Sequence, residues 1–400
     1  MIKIRGFFIM EAISKILWKQ FQKSSTFTKL FQKMKIVFVL TEIAIGGAER
    51  VVLNICTELQ KKGHETAVCA LKNLCHEDLM VQAFQRENIH LVSLNADKKH
   101  PWRLLKLGRL VKSLNPDCVS AHLFHPNILS RLLLKKRSFK LINTIHIMEI
   151  RKSQKWRFVL DKMTFKMADV HTAVSQAAAD FQQKMLKLPE NSFKVIRNGI
   201  DIPRKLADDE KKALRQKWGV AGCDIVFGCV GRLNHQKGFD ILLGMKELLS
   251  RKFAGQKIGL VFIGDGPEKE NLLLQAANPP ENMKIVFAGY SAQAASECGA
   301  FDVFLMPSRF EGLPLSLIEA TANNLRIVAQ NIPSVAEVVN EYPNAFLADF
   351  AGEPEKTVEK IADALQKTPA ENIRIYTTQD MTAEYLKVFS KSEGSVLNID

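Results

Sequence analysis

The chain has 400 residues, 46% of them hydrophobic and 24% charged, with a formal net charge of +14. That apolar share excludes a disordered chain, and the length exceeds what one hydrophobic core usually serves, so two domains of about 170–200 residues are expected. No uninterrupted apolar run approaches the ~18 residues of a spanning helix, and seven cysteines without a C-x-x-C pair argue against zinc and suit reduced thiols in the cytoplasm.

Residues 1–33 come first, and Glu11 and Lys15 break their short apolar stretch, which argues against a secretory signal. Either this segment is a basic amphipathic arm suited to a membrane surface, or it is an upstream start, since Met34 opens the first strand directly. From Lys35 to Val195, strands are predicted near 36–40, 66–71, 89–93, 117–121, 140–145, 169–174 and 193–196, with helices such as 48–62, 102–114 and 176–186 between them. His122, His125 and His146 fall at or just after strand ends, where parallel sheets meet ligands. His122 and His125 have no third ligand to complete a metal site. The first unit gives way to the second near Arg197 to Asp209.

The alternation resumes with strands near 225–230, 258–263, 284–287, 302–306, 326–329 and 345–348, and a last helix at about 371–391. Alternation in both halves predicts an α/β chain of two Rossmann-like, doubly wound parallel sheets. After the 225–230 strand, Gly231 and Gly238 permit a tight turn while Arg232 and Lys237 bring two cations suited to a diphosphate. Gly264-Asp265-Gly266 makes a similar but less specific turn. The stretch from Phe304 to Ala322 carries Glu311 and Glu319 around a loop that becomes a helix near Leu315, with Pro314 in its first turn. Side chains lean toward a helix N-terminus, so Glu319 is expected to face that anion-attracting mouth beside Glu311. Its apolar neighbours offer the acid no partner, and a hydroxylated ligand would supply one.

In order along the chain, Gly46-Gly47-Ala48-Glu49-Arg50, Asn198-Gly199-Ile200-Asp201, Gly231-Arg232 with Lys237-Gly238, Gly264-Asp265-Gly266 and Glu311-x7-Glu319 resemble the retaining glycosyltransferases of family 4. The resemblance covers about residues 34–392 and implies the glycosyltransferase-B fold. It implies an acceptor-side domain at 34–200, a donor-binding domain at 201–370, and a last helix, about 371–392, packing back on the first. Arg232 and Lys237 would hold the donor diphosphate, Glu319 the ribose hydroxyls, and Glu311 and His146 the transferred sugar. Gly46 and Gly47 would approach the donor from the other domain. Gly264, Asp265, Gly289, Tyr290, Gly312, Leu313, Pro314 and Leu315 complete the implied donor-binding set, and His122 and His125 are placed on the acceptor side. The chain departs from the pattern at Asn324, which stands for the usual Gly, and at Ile332-Pro333-Ser334 before Glu337, which replaces a Gly-Gly turn.

No D-x-D pair ends a predicted strand, so no metal is expected and the co-substrate is a nucleoside-diphosphate sugar. Residues 1–200 hold 34 Lys and Arg against 15 Asp and Glu, while residues 201–400 hold 22 against 27. The excess clusters at Arg103, Lys106, Arg109 and Lys112, from Arg131 to Lys140, and from Arg151 to Lys166. Such clusters favour an anionic membrane surface and a saccharide or lipid-linked acceptor at the inner face of the cytoplasmic membrane. Nucleic acid is disfavoured because no reading motif is present. A nucleotide-sugar 2-epimerase of the same fold and a non-catalytic membrane-bound partner subunit are the alternatives.

Overall fold

The computed structural model describes residues 33–135, 137–147, 155–368 and 373–390. The proposed amphipathic arm therefore lies outside the described residues, as do the basic residues Arg151 and Lys152.

Lys35–Leu40 (β1) is apolar from Ile36 onward, and those five side chains are buried, as a strand covered on both faces requires. It pairs in parallel with β2 (Glu65–Lys72) and β4 (Cys118–His122). With β3 (His90–Ala96), β5 (Lys140–Ile145), β6 (Val170–Ala173) and β7 (Lys194–Val195) it forms a sheet in the order β3-β2-β1-β4-β5-β6-β7. A second parallel sheet joins β8 (Ile225–Val230), β9 (Ile258–Ile263), β10 (Met283–Gly289), β11 (Val303–Met306), β12 (Arg326–Gln330) and β13 (Ala345–Ala348) in the order β10-β9-β8-β11-β12-β13. These are the two doubly wound sheets that the alternation predicts. Strand order reverses between β1 and β4 and again between β8 and β11, and at each reversal the connections diverge and open a crevice at the strands' carboxyl ends.

Six helices position the site. α1 (Gly47–Lys61) follows β1, α2 (Phe124–Leu133) follows β4, α3 (Trp156–Thr164) follows β5, and α4 (Gln176–Leu186) follows β6. In the second half α5 (Leu315–Ala322) follows β11, and α6 (Thr378–Phe389) closes the described chain. Thr377 and Asp380 start α6 with a reciprocal capping box, so the helix begins at Thr378 and not near 371 as the sequence suggests. Its Phe389 packs edge-on against Phe38 of β1 at 6.2 Å, and Lys140 of β5 donates to the Val388 carbonyl at 2.6 Å. The end of the chain thus lies on the first sheet.

The expected helix at 102–114 is two pieces, a 3₁₀ turn at Pro101–Lys106 and an α-helix at Leu107–Ser113. Three residues per turn stack Trp102 and Leu105 on one edge, and both are exposed. Of the basic cluster from Arg131 to Lys140, Lys135 is exposed and Lys136 lies outside the described residues, while three of the others are engaged internally. Arg131 is buried and ion-paired to Asp161, Arg137 pairs with Asp169 at 2.9 Å, and Lys140 serves α6. These three cations are taken up by carboxylates and a carbonyl of the chain itself.

Candidate active site

Three glycines let the loops after β8, β9 and β11 touch. A Cβ on Gly264, whose φ is +150°, would lie 2.0 Å from the Gly231 carbonyl, and one on Gly238, φ +66°, would lie 2.1 Å from that of Pro307. Lys237 folds over Gly231, and its ammonium meets the Glu311 carboxylate at 2.6 Å while Gln236 donates to the other oxygen at 3.2 Å. Lys237 is therefore already paired, so a diphosphate held by it would have to take the place of Glu311. Arg232 is exposed and has no ion pair among the described residues. Asp265 is held by its own turn through Gly266 N–H and by Lys269 at 3.0 Å, which keeps its carboxyl below the usual range. Gly289 accepts from Gly264 N–H at 2.8 Å, and Tyr290 is exposed.

Pro314 stands at the N-cap of α5, one residue before its first turn, so the amide end of that helix opens at Leu315. Glu319 lies one turn in and is 2% exposed. It is not without a partner. Arg50 of α1 reaches across from the first domain, and its guanidinium lies 2.7 Å from Glu319 Oε1. The angle leaves that oxygen without a directed hydrogen bond. Burial pushes the Glu319 carboxyl above its ordinary range, opposed by Arg50 and by Lys237.

The start of α1 holds Glu49, whose carboxylate folds back so that a Cβ on Gly46 would lie 2.3 Å from it. Burial pushes this carboxyl up to about 7, with Arg232 across the cleft among the groups opposing the shift. Gly312 backs onto the first domain so closely that a Cβ there would stand 1.7 Å from the His146 carbonyl. Ser175 and Asn198 tie the loop down, donating to the Gly312 and Leu313 carbonyls at 2.7 and 2.8 Å. Glu337 of the second half accepts from the amides of Gln176 and Ala177 at the start of α4, so it faces that helix dipole and is engaged away from the donor loops.

His146 Nε2 and His122 Nδ1 are 2.7 Å apart, and His122 Nε2 meets Ser120 Oγ at 2.9 Å. Burial depresses both imidazoles, His146 to about 4, so His146 is neutral near pH 7 and offers a hydrogen bond without a charge. His122 is fully buried and braces His146, which corrects its placement as an acceptor contact. His125 does line a cavity, together with His146. Among the described residues no group of three or more His, Cys, Asp or Glu could hold a metal ion.

A family model described as "Glycosyltransferase Family 4" matches residues 45–204, and one described as "Glycosyl transferases group 1" matches residues 210–381. Between them they span most of the chain. The chain belongs to the group 1 glycosyltransferases. Among its relatives is the O-antigen biosynthesis glycosyltransferase WclY of Escherichia coli, 25% identical over 319 residues that cover 77% of this chain and 83% of WclY. Another from the same organism is the UDP-Gal:alpha-D-GlcNAc-diphosphoundecaprenol alpha-1,3-galactosyltransferase, 26% identical over 65% of this chain and 68% of that enzyme. The structure of Anabaena HepE in complex with UDP and glucose superposes with a TM-score of 0.75 at 19% identity, covering 90% of this chain and all of HepE. Sucrose-phosphate synthase of Thermosynechococcus elongatus gives 0.72 at 15% identity over 89% of this chain and 98% of its own. The fold is the glycosyltransferase-B fold.

In this glycosyltransferase the structure joins Lys237 to Glu311, brings Glu319 to Arg50 and Arg232 within electrostatic reach of Glu49 across the two halves, and sets Gly312 against His146. The sequence reading gave no role to Arg50, Glu49 or Asn198. The signal for Arg50 was present in the Gly46–Arg50 motif, but its partner lies 269 positions away and only the closed fold supplies it.

Proposed function

We propose that the enzyme is a retaining transferase that moves a sugar from a nucleoside diphosphate to a saccharide or lipid-linked acceptor of cell-surface polysaccharide or lipopolysaccharide. The observation that carries this reading is the arrangement of Arg232, Lys237 and the amide end of α5 around one crevice, with buried Glu311 and Glu319 beside it. Diphosphate oxygens displace Glu311 from Lys237, and the freed carboxylate takes sugar hydroxyls. Ribose hydroxyls supply Glu319 with the directed bonds that Arg50 leaves unmade. The C1–O bond to the diphosphate breaks, its electron pair leaving with the phosphate opposite Arg232, Lys237 and the helix amides. The acceptor hydroxyl attacks C1 from the departing side and passes its proton to the leaving oxygen. Neutral His146 orients the sugar, and no step calls on a metal.

Relatives named for O-antigen and diphosphoundecaprenol chemistry support such an acceptor. On α3, Trp156, Val159 and Met163 are exposed and fall on one face at about 100° per residue, with Lys155 and Lys162 beside them. This basic, apolar stripe suits an anionic bilayer, and we place the enzyme at the inner face of the cytoplasmic membrane. No helix among the described residues is long and apolar enough to cross one.

The test is incubation with UDP-, GDP- and ADP-sugars, with and without a membrane lipid extract, followed by the anomeric proton in NMR. Extract-dependent loss of one donor with a new glycosidic signal of unchanged configuration is the expected result. Inversion would remove the retaining claim, and an epimerised nucleotide sugar formed without extract would replace transfer by isomerisation.

A further inference from the structure

A cavity of about 240 Å³ opens beside His146 at the carboxyl ends of β4 and β5, walled by α2, α3 and α4. Pockets for whole ligands run about 300–1,000 Å³, so this one takes part of a molecule, such as one saccharide ring or a phosphate group.

Arg157 of α3 lines the cavity with its guanidinium 5.0 Å from the centre of the Phe124 ring. Its Nε is buried without a hydrogen-bond partner, and no carboxylate pairs with it among the described residues. Asp161, one turn further along and also in the wall, is consumed by Arg131 and Gln182, which both donate to it. Among the described residues the cavity therefore holds a cation with no counter-ion. On the α2 wall, Asn127 is 5% exposed and donates to the Thr144 carbonyl at 3.1 Å, which leaves its Oδ1 unpaired. Buried polar atoms are nearly always satisfied, so two orphans in facing walls of one cavity point to a ligand that meets them. Leu123, at φ 75° and ψ 169°, adopts a backbone conformation that side chains other than glycine's strongly disfavour. That strained turn delivers Phe124, His125 and Asn127 to the wall.

We propose that this cavity is the acceptor subsite and that it selects acceptors bearing a phosphate, with Arg157 as counter-ion and the Phe124 face and Asn127 Oδ1 holding the adjoining sugar ring. The proposal rests on the glycosyltransferase reading above and deepens it. His146 forms part of the wall while its carbonyl abuts Gly312, so a sugar held here lies next to the donor crevice. The phosphate belongs either to a soluble sugar phosphate or to a polyprenyl lipid, and the apolar face of α3 is on hand for the second.

The experiment uses the full chain, first titrated with UDP, GDP and ADP and then kept saturated with the one that binds, so that the donor-side cations are occupied. Probes are α-glucose 1-phosphate, methyl α-glucoside, and phosphatidylcholine vesicles with or without undecaprenyl phosphate, against wild type, R157Q and R157K. Expected is binding of glucose 1-phosphate or of the undecaprenyl-phosphate vesicles, weakened at least about tenfold in R157Q and largely restored in R157K, with methyl glucoside much weaker. Restoration by lysine separates a lost charge from a collapsed wall. Which phosphate binds names the source. Equal binding of methyl glucoside, undiminished binding in R157Q, or no binding of either phosphate overturns the proposal. If one of the three nucleotides binds and phosphate does not, this inference alone fails; if none of the three binds, the donor reading fails.

Discussion

Replacing Arg50 by Met removes the counter-charge of Glu319 while keeping most of the side-chain length. Losing one partner of a fully buried ion pair costs about 3–5 kcal/mol. Glu319 is 2% exposed but Arg50 is 40% exposed, so water already screens the pair from one side and the figure must be discounted. Protonation caps what remains, because each pKa unit that Glu319 climbs costs about 1.4 kcal/mol. A loss of about 2 kcal/mol at about pH 8 is the expected balance. Burial already holds the Glu319 carboxyl above its ordinary 4.5 in the folded chain, so the folded state takes the proton first. Its contribution is fully present below that value and is lost as pH rises through the folded pKa. R50M raises the folded pKa further. Wild type and variant should therefore nearly coincide at about pH 4.5 and separate steadily toward about pH 8 in urea unfolding followed by circular dichroism. E319Q combined with R50M should recover most of the difference. A loss of equal size at every pH, or a double variant no better than R50M, would refute the reasoning.

Lys237→Ala leaves buried Glu311 with Gln236 alone and so costs stability, but it should stay folded and lower kcat/KM about 10²–10³-fold, as removal of one charge stabiliser commonly does; unchanged turnover would sink the donor assignment. Gly312→Ala puts a Cβ 1.7 Å from the His146 carbonyl and so forces the two halves apart. Turnover should fall at least about tenfold with a smaller change in UDP affinity, and equal losses in both would argue against a closure defect. Glu49, pushed up to about 7 by burial, contributes stability that is fully present below its ordinary 4.5 and lost as pH rises through about 7. E49Q should flatten the stability curve across that window by up to about 3 kcal/mol, and curves that stay parallel to wild type would count against it.

The strands were legible because parallel sheets covered on both faces write themselves as apolar runs, such as Ile36 to Leu40 and Ile258 to Ile263. The start of α5 was legible as well, since a proline before an apolar helix has few other uses. Long-range pairing was not. Nothing local tells Arg131, which is buried, from Lys135, which is exposed, because the difference is Asp161 thirty positions on. His122 and His146 look alike at two strand ends, and only the β4–β5 register turns one of them into the brace of the other. The break at Lys106 and the start of α6 at Thr378 depend on turn winding and capping, which hydrophobic period does not encode.

Side chains expected to hold the donor are spent on one another: Lys237 on Glu311, and Glu319 on Arg50. With the donor placed as proposed, its binding is an exchange of partners, and the net gain is smaller than the new contacts alone suggest. The exchange also carries information between the halves. Lys237 and Glu311 both sit in the second domain, so a diphosphate can separate them without moving the first. Arg50 and Glu319 sit in different domains, and a ribose bound to Glu319 as proposed would weaken the tie that holds α1 against α5. Closure must then be carried by contacts the donor does not disturb, namely Gly312 against His146, Ser175 and Asn198 on the same loop, and Glu337 on α4. The His146 side of the cleft is in this way fixed by backbone contacts, while the Arg50 side is held by a charge pair that substrate can replace, so product release should open the cleft at the α1 edge.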